Sequence, residues 1–114
     1  MTIQVGADLS VKHCKPCESG EGALSEAALA EHLKQVQGWE LLQEMKITKS
    51  FKFPNFRKAL EFTDRVGELA ESEGHHPDIF LSWGKVKIEL STHAVKGLSE
   101  NDFILAARID LLPK

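Results

Sequence analysis

The apolar residues of this chain change period repeatedly along its 114 residues, and that succession limits the fold more than any other feature. Leu29, Leu33 and Val36 recur at helical spacing. Ser25 is placed to cap this first helix, Glu26 sits in its first turn, Leu24 can staple onto Leu29, and Gly38 is its natural stop. From Trp39 the period drops to that of a strand. Trp39, Leu41 and the stretch Gln43 to Met45 read as one strand, and Ile47, Lys49, Phe51 and Phe53 alternate as a second. A hairpin about Glu44 to Lys46 would join them. Pro54 and Asn55 then open a second helix with Phe56, Ala59, Leu60, Thr63, Val66 and Ala70 on one face. It runs to about Ser72, and Gly74 ends it.

The alternation returns at Asp78 to Ser82. Trp83, Gly84 and Lys85 make a turn, and Val86, Ile88, Leu90 and Thr92 alternate as a fourth strand. Ser99 caps a last helix bearing Phe103, Ala106, Ala107 and Ile109 or Asp110. The order α-β-β-α-β-β-α, with hairpin-sized connections, predicts a single two-layer α+β domain. Its sheet is four-stranded and antiparallel, with the three helices on one face. Residues 1–23 read as an irregular N-terminal arm and 24–114 as the domain.

A net charge of −3 with interspersed signs argues against a nucleic-acid surface, which needs clustered Lys and Arg to neutralise phosphates. Lys85, Lys87 and Lys96 lie near one another, a pattern more typical of a solvated strand face. No apolar run approaches the roughly 20 residues that cross a bilayer. Met1 to Ser10 lacks the basic start and apolar centre of a secretory signal, so a cytoplasmic location is expected. Cys14 and Cys17 are the two cysteines, in the segment HCKPC. A redox pair, half a zinc site and two plain thiols are the three readings. The flanks read as loop, and the chain has no second Cys pair to complete a closed zinc site, which favours plain thiols.

Of five histidines, His75, His76 and His93 can meet. His75 and His76 follow the second helix, and Pro77 pushes His76 toward extended backbone. Pairing of the third and fourth strands about Gly84 would bring His93 back to that corner. His13 and His32 read as ordinary surface residues. A three-histidine cluster can bind a metal, with Glu71, Glu73 or Asp102 completing the shell, or it can move protons near neutral pH. Adjacent histidines in an extended segment point to opposite sides, so they rarely share one ion.

The spacing is more telling than the cluster. Three residues separate Glu71 from His75-His76-Pro77, five more precede Trp83, nine more precede His93, and eight more precede Asp102. Together with the run Thr92, His93, Gly97, Leu98, Ser99 and Asp102, this resembles the signature of the pterin-4a-carbinolamine dehydratase family. The resemblance extends from Gly38-Trp39 to the last helix.

That resemblance implies dehydration of a 4a-hydroxytetrahydropterin to the quinonoid dihydropterin, which recycles the pterin cofactor of aromatic amino acid hydroxylases. No metal, nucleotide or redox carrier is required. His75 and His93 would act as general acids from opposite sides, and His76 would hold the pterin and help remove the N5 proton. Pro77, Thr92, Ala94 and Val95 would frame the ring with their backbone, and Glu71 and Asp102 would belong to the site. Asp102 can also be read as the acidic member of a capping box with Ser99. Trp83 reads as core or turn packing rather than a stacking platform. The chemistry fits the residue types: hydroxide leaves poorly without a proton, and imidazole supplies one. The family also implies a homodimer or homotetramer, with no nucleic-acid or membrane partner. Animal members double as dimerisation cofactors of a homeodomain transcription factor, so a non-catalytic binding module is one alternative. A pterin-binding protein of molybdopterin metabolism is another.

Overall fold

A computed structural model of the chain describes Leu9, Val11, Cys14, residues 23–43 and residues 45–114. His13, Cys17, Glu44 and most of the expected N-terminal arm lie outside the described residues. Helix α1 spans Glu26–Leu33, and the Ser25 hydroxyl accepts the backbone N–H of Ala28 at 3.2 Å. The helix stops earlier than its apolar spacing predicts. Gln35 and Val36 donate to His32 and Leu33, three residues back, so the α-helix tightens into turns before Gly38 at φ +83. Val36 is still buried, which is why its spacing reads as helical.

Strand β1 (Glu40–Leu42) pairs with β2 (Lys46–Lys52), with Leu42 opposite Lys46. Gln43 and Met45 are therefore turn residues and Lys46, expected in the turn, already belongs to the ladder. Helix α2 spans Phe56–Glu73, with Asn55 accepting from the Lys58 N–H at 2.9 Å and Gly74 closing it at φ +67. Its buried face is Ala59, Phe62, Val66 and Ala70: Ala59, Val66 and Ala70 are as expected, Leu60 and Thr63 are half-buried, and Phe62 takes the place expected of Phe56. Phe62 has no exposure, whereas Phe56 is 44% exposed, so the helix is rotated from the expected face.

Strands β3 (Asp78–Ser82) and β4 (Lys85–Leu90) form a hairpin in which Ser82 pairs with Lys85. Trp83 and Gly84 alone make the turn. An added Cβ on Gly84 would lie 2.9 Å from the Phe53 carbonyl, so only glycine lets the two backbones approach. Trp83 is 69% exposed and packs in neither core nor sheet.

The sheet order is β1-β2-β4-β3, antiparallel throughout. Its register puts Ile47 opposite Leu90, Lys49 opposite Ile88 and Phe51 opposite Val86. One face is therefore apolar and carries the helices. The other presents Thr48, Ser50, Lys87 and Glu89. Helix α3 (Glu100–Asp110) is buried over most of its surface and forms the centre of the core with Phe103, Ile104, Leu105 and Ile109. Fully burying such a side chain contributes roughly 1.5–3 kcal/mol. A polar clamp closes the far end of α3: Asp110 accepts from the Trp39 indole at 3.1 Å and from Lys49 at 2.9 Å. No helix among the described residues is long and apolar enough to cross a membrane.

Candidate active site

The left-handed Gly74 ends α2 and turns the chain, leaving the His75 N–H bonded to the Ala70 carbonyl at 3.3 Å. Pro77 keeps the backbone before it extended, and β3 begins one residue later. Because Asp78 pairs with Glu89, the His75–Pro77 corner lies beside the exit of β4. There Thr92 bridges to Gly97, with Thr92 N–H to Gly97 carbonyl at 2.7 Å, and this pinches off a short 3-10 turn, His93–Val95. Helix α3 starts three residues after Gly97 and places Asp102 in its first turn.

Asp102 has no solvent exposure, and its carboxylate joins all three segments. Its Oδ1 accepts from His75 Nε2 at 2.6 Å. Its Oδ2 accepts from the Thr92 hydroxyl at 2.7 Å and from the Ser99 backbone N–H at 3.0 Å. Thr92 spends its proton on Asp102, so the Ser99 hydroxyl, 2.8 Å away, donates to Thr92. Both readings of Asp102 therefore describe one geometry: the carboxylate reaches back to the helix N-terminus and also holds a histidine. A carboxylate only accepts, so Nε2 carries the proton of this pair and the ring's direction is fixed.

The other expected residues are placed differently. His76 is exposed and hydrogen-bonds to Glu71, itself exposed on the last turn of α2. His93 is exposed on the 3-10 turn, and Ala94 is exposed beside it. Val95 is buried, and its N–H is taken by the Thr92 carbonyl. Pro77 is half-buried. A cavity of about 490 Å³ opens at this end of the sheet, within the size range of small-molecule sites. Thr92 and His93 line it, with Asp78, Ser91, Gln43 and Lys96 among the other walls. Sequence reasoning missed those four. The signal was available for Gln43: a strand that pairs Ile47 with Leu90 must put its own hairpin turn next to the β4 exit. Among the described residues no three His, Cys, Asp or Glu side chains group as a metal site.

One further histidine departs from expectation. His32 is half-buried, with Nδ1 2.8 Å from the Ala28 carbonyl and its ring 5.3 Å from that of Phe103. Cys14 lies directly behind the site. Its backbone N–H donates to Glu73 at 2.7 Å, and its thiol contacts the Asn101 carbonyl at 3.7 Å. Burial, reinforced by the charges of Glu73 and Asp102, pushes this thiol up to about 12. Such an environment opposes the thiolate that a redox cysteine needs.

Fold and site together define a small two-layer α+β protein that carries, at one sheet end, a carboxylate-held histidine, His75, and a cavity lined by another, His93. The family model described as pterin 4 alpha carbinolamine dehydratase matches residues 22–112, and the chain belongs to that family. It is 45% identical over 106 residues to a protein of Rubrobacter xylanophilus provisionally named as a pterin-4-alpha-carbinolamine dehydratase, covering 93% of this chain and 99% of that one. It is 48% identical to the mitochondrial pterin-4-alpha-carbinolamine dehydratase 2 of Arabidopsis thaliana, covering 93% of this chain and 59% of the longer plant protein. Among solved structures it is similar to a transcriptional coactivator/pterin dehydratase from Brucella melitensis. That match has a TM-score of 0.74 at 32% identity, over 78% of this chain and 96% of that one. It is also similar to a pterin dehydratase-like protein identified as a RuBisCO assembly factor in the alpha-carboxysome. There the TM-score is 0.56 at 26% identity, over 65% of this chain and 87% of that one.

Proposed function

We propose that this protein dehydrates 4a-hydroxytetrahydropterins by histidine acid–base catalysis and so recycles the pterin cofactor of aromatic amino acid hydroxylases. In the reaction the C4a–O bond breaks, the departing hydroxyl takes a proton from a histidine and leaves as water, and N5 gives up its proton as the C4a–N5 double bond forms. His75 and His93 serve as the acids, one for each face of the pterin. His76 holds the ring and accepts the N5 proton, with Glu71 behind it. Pro77, Thr92, Ala94 and Val95 frame the ring. The observation that carries this reading is the His75–Asp102–Thr92 chain of hydrogen bonds, which orients one imidazole and ends on Thr92, the chain neighbour of His93 at the cavity. The test is the decay of 4a-hydroxytetrahydropterin followed by stopped-flow absorbance with and without the protein. Acceleration well above the buffer rate is expected; an unchanged rate would sink the reading.

A homodimer or homotetramer is part of the proposal, since β1 and β3 are sheet edges able to pair with a second copy. Sedimentation as a monomer at micromolar concentration would contradict it. A binding-module role is the second reading. It draws on the open sheet face, where Phe80 and the neighbouring turn residue Trp83 are 49% and 69% exposed. A module would lose its partner on Phe80→Ser or Trp83→Ser and keep it on His75→Ala.

A further inference from the structure

Among the described residues two that are not glycine have left-handed backbone, Gln43 at φ +52 and Lys96 at φ +55. They come from unrelated segments. Gln43 opens the turn between β1 and β2, and Lys96 follows the 3-10 turn after β4. Yet both line the same cavity beside His93. The left-handed region is unfavourable for any residue with a Cβ. It is eased for Asn and Asp by their short polar side chains, but not for Gln or Lys. Glycine would be the undemanding choice at either position. Strained backbone of this kind collects where a side chain is wanted for a ligand.

The cavity wall supports the same conclusion from its charges. Lys46 on that wall is engaged by Glu89 at 3.3 Å. Lys96 is exposed and has no ion-pair or hydrogen-bond partner through its side chain among the described residues. Gln43 is exposed as well. Gln43 and Lys96 therefore bring to the cavity an amide and an ammonium that no described residue engages, neither of them part of the histidine network.

We propose that Gln43 and Lys96 are ligand-holding residues of this cavity, donating hydrogen bonds to the oxygen and nitrogen acceptors on the rim of a bound pterin. The identity of the ligand rests on the dehydratase reading. The two residues take no part in proton transfer, so their loss should weaken binding and leave the chemical step alone.

The test uses the full chain and a stable pterin, 7,8-dihydrobiopterin, titrated calorimetrically into wild type, Gln43→Gly, Lys96→Gly and the double variant. Glycine suits both backbones, so the melting temperatures should equal or exceed that of wild type. Each single change should raise Kd roughly fivefold, the effect of one hydrogen bond, and the double variant should exceed either. Lys96→Arg, which keeps a cationic donor, should stay close to wild type. KM should rise in the glycine variants while kcat holds. A double variant that binds as tightly as wild type would overturn the assignment alone. A wild-type protein that binds no pterin would instead overturn the functional reading beneath it.

Discussion

His75 Nε2 lies 2.6 Å from Oδ1 of Asp102, a residue 27 positions later in the chain and wholly buried. The other oxygen of the same carboxylate holds Thr92 and the start of α3. One buried acid thus ties together the corner before β3, the exit of β4 and the last helix. Among the described residues every buried side-chain nitrogen or oxygen has a partner, so this network stands complete. Complete networks fix geometry, and partial ones cost stability, because each orphaned group keeps its desolvation penalty.

Asp102→Asn retains the volume but puts an NH2 group in place of one of two oxygens that together accept from three donors. Either His75 or both the Thr92 hydroxyl and the Ser99 N–H must lose the acceptor. The expected destabilisation is about 1–3 kcal/mol, read from urea unfolding at unchanged m. Turnover should fall as well, since His75 loses its orientation. A variant as stable and as active as wild type would show that the carboxylate is not the organising group.

Phe62 and Phe56 occupy the same helix with opposite fates, one with no exposure and the other 44% exposed. Phe62→Ala should cost roughly 3–5 kcal/mol and Phe56→Ala under about 1, compared by thermal and urea unfolding. Similar costs would contradict the observed rotation of α2.

That pair also shows how far the sequence could be read. The limits of β3, the Asn55 and Gly74 ends of α2 and the Ser25 and Ser99 caps were legible because cap chemistry and glycine leave local marks. The rotation of α2 was not, since Phe56 and Phe62 are equally apolar and only packing against the sheet decides between them. Val36 fits a helical stripe although it stands beyond the helix, because tighter turns also bring it to the core. At the site, the spacing of His75, Thr92, His93 and Asp102 was visible, but the hydrogen bonds among them were not. The walls contributed by Gln43 and Lys96 depend on strand register and on left-handed backbone, which neither residue type announces.

Cys14 gives a pH dependence. Its ordinary value of 9.0 is pushed up to about 12 in the folded chain, chiefly by burial and then by Glu73 and Asp102. Below about pH 9 both states keep the proton. Above it the unfolded chain releases a proton that the folded chain retains, so the contribution is lost as pH rises from about 9 to about 12. Wild type should lose stability across that window faster than Cys14→Ser, measured by urea midpoints at stepped pH. Parallel curves would contradict the placement of the thiol. Alkylation of Cys14 by iodoacetamide at pH 8 should likewise be slow in native protein and fast after unfolding.

The most direct test of the account is stopped-flow decay of 4a-hydroxytetrahydropterin with wild type, His75→Ala and His93→Ala side by side, each checked for folding by circular dichroism. The account predicts clear acceleration by wild type and losses on the order of 10²-fold or more in each variant, the range of general acid catalysis. Folded variants that turn over as fast as wild type would contradict the assignment of these histidines, and a wild-type rate no faster than buffer would contradict the function itself.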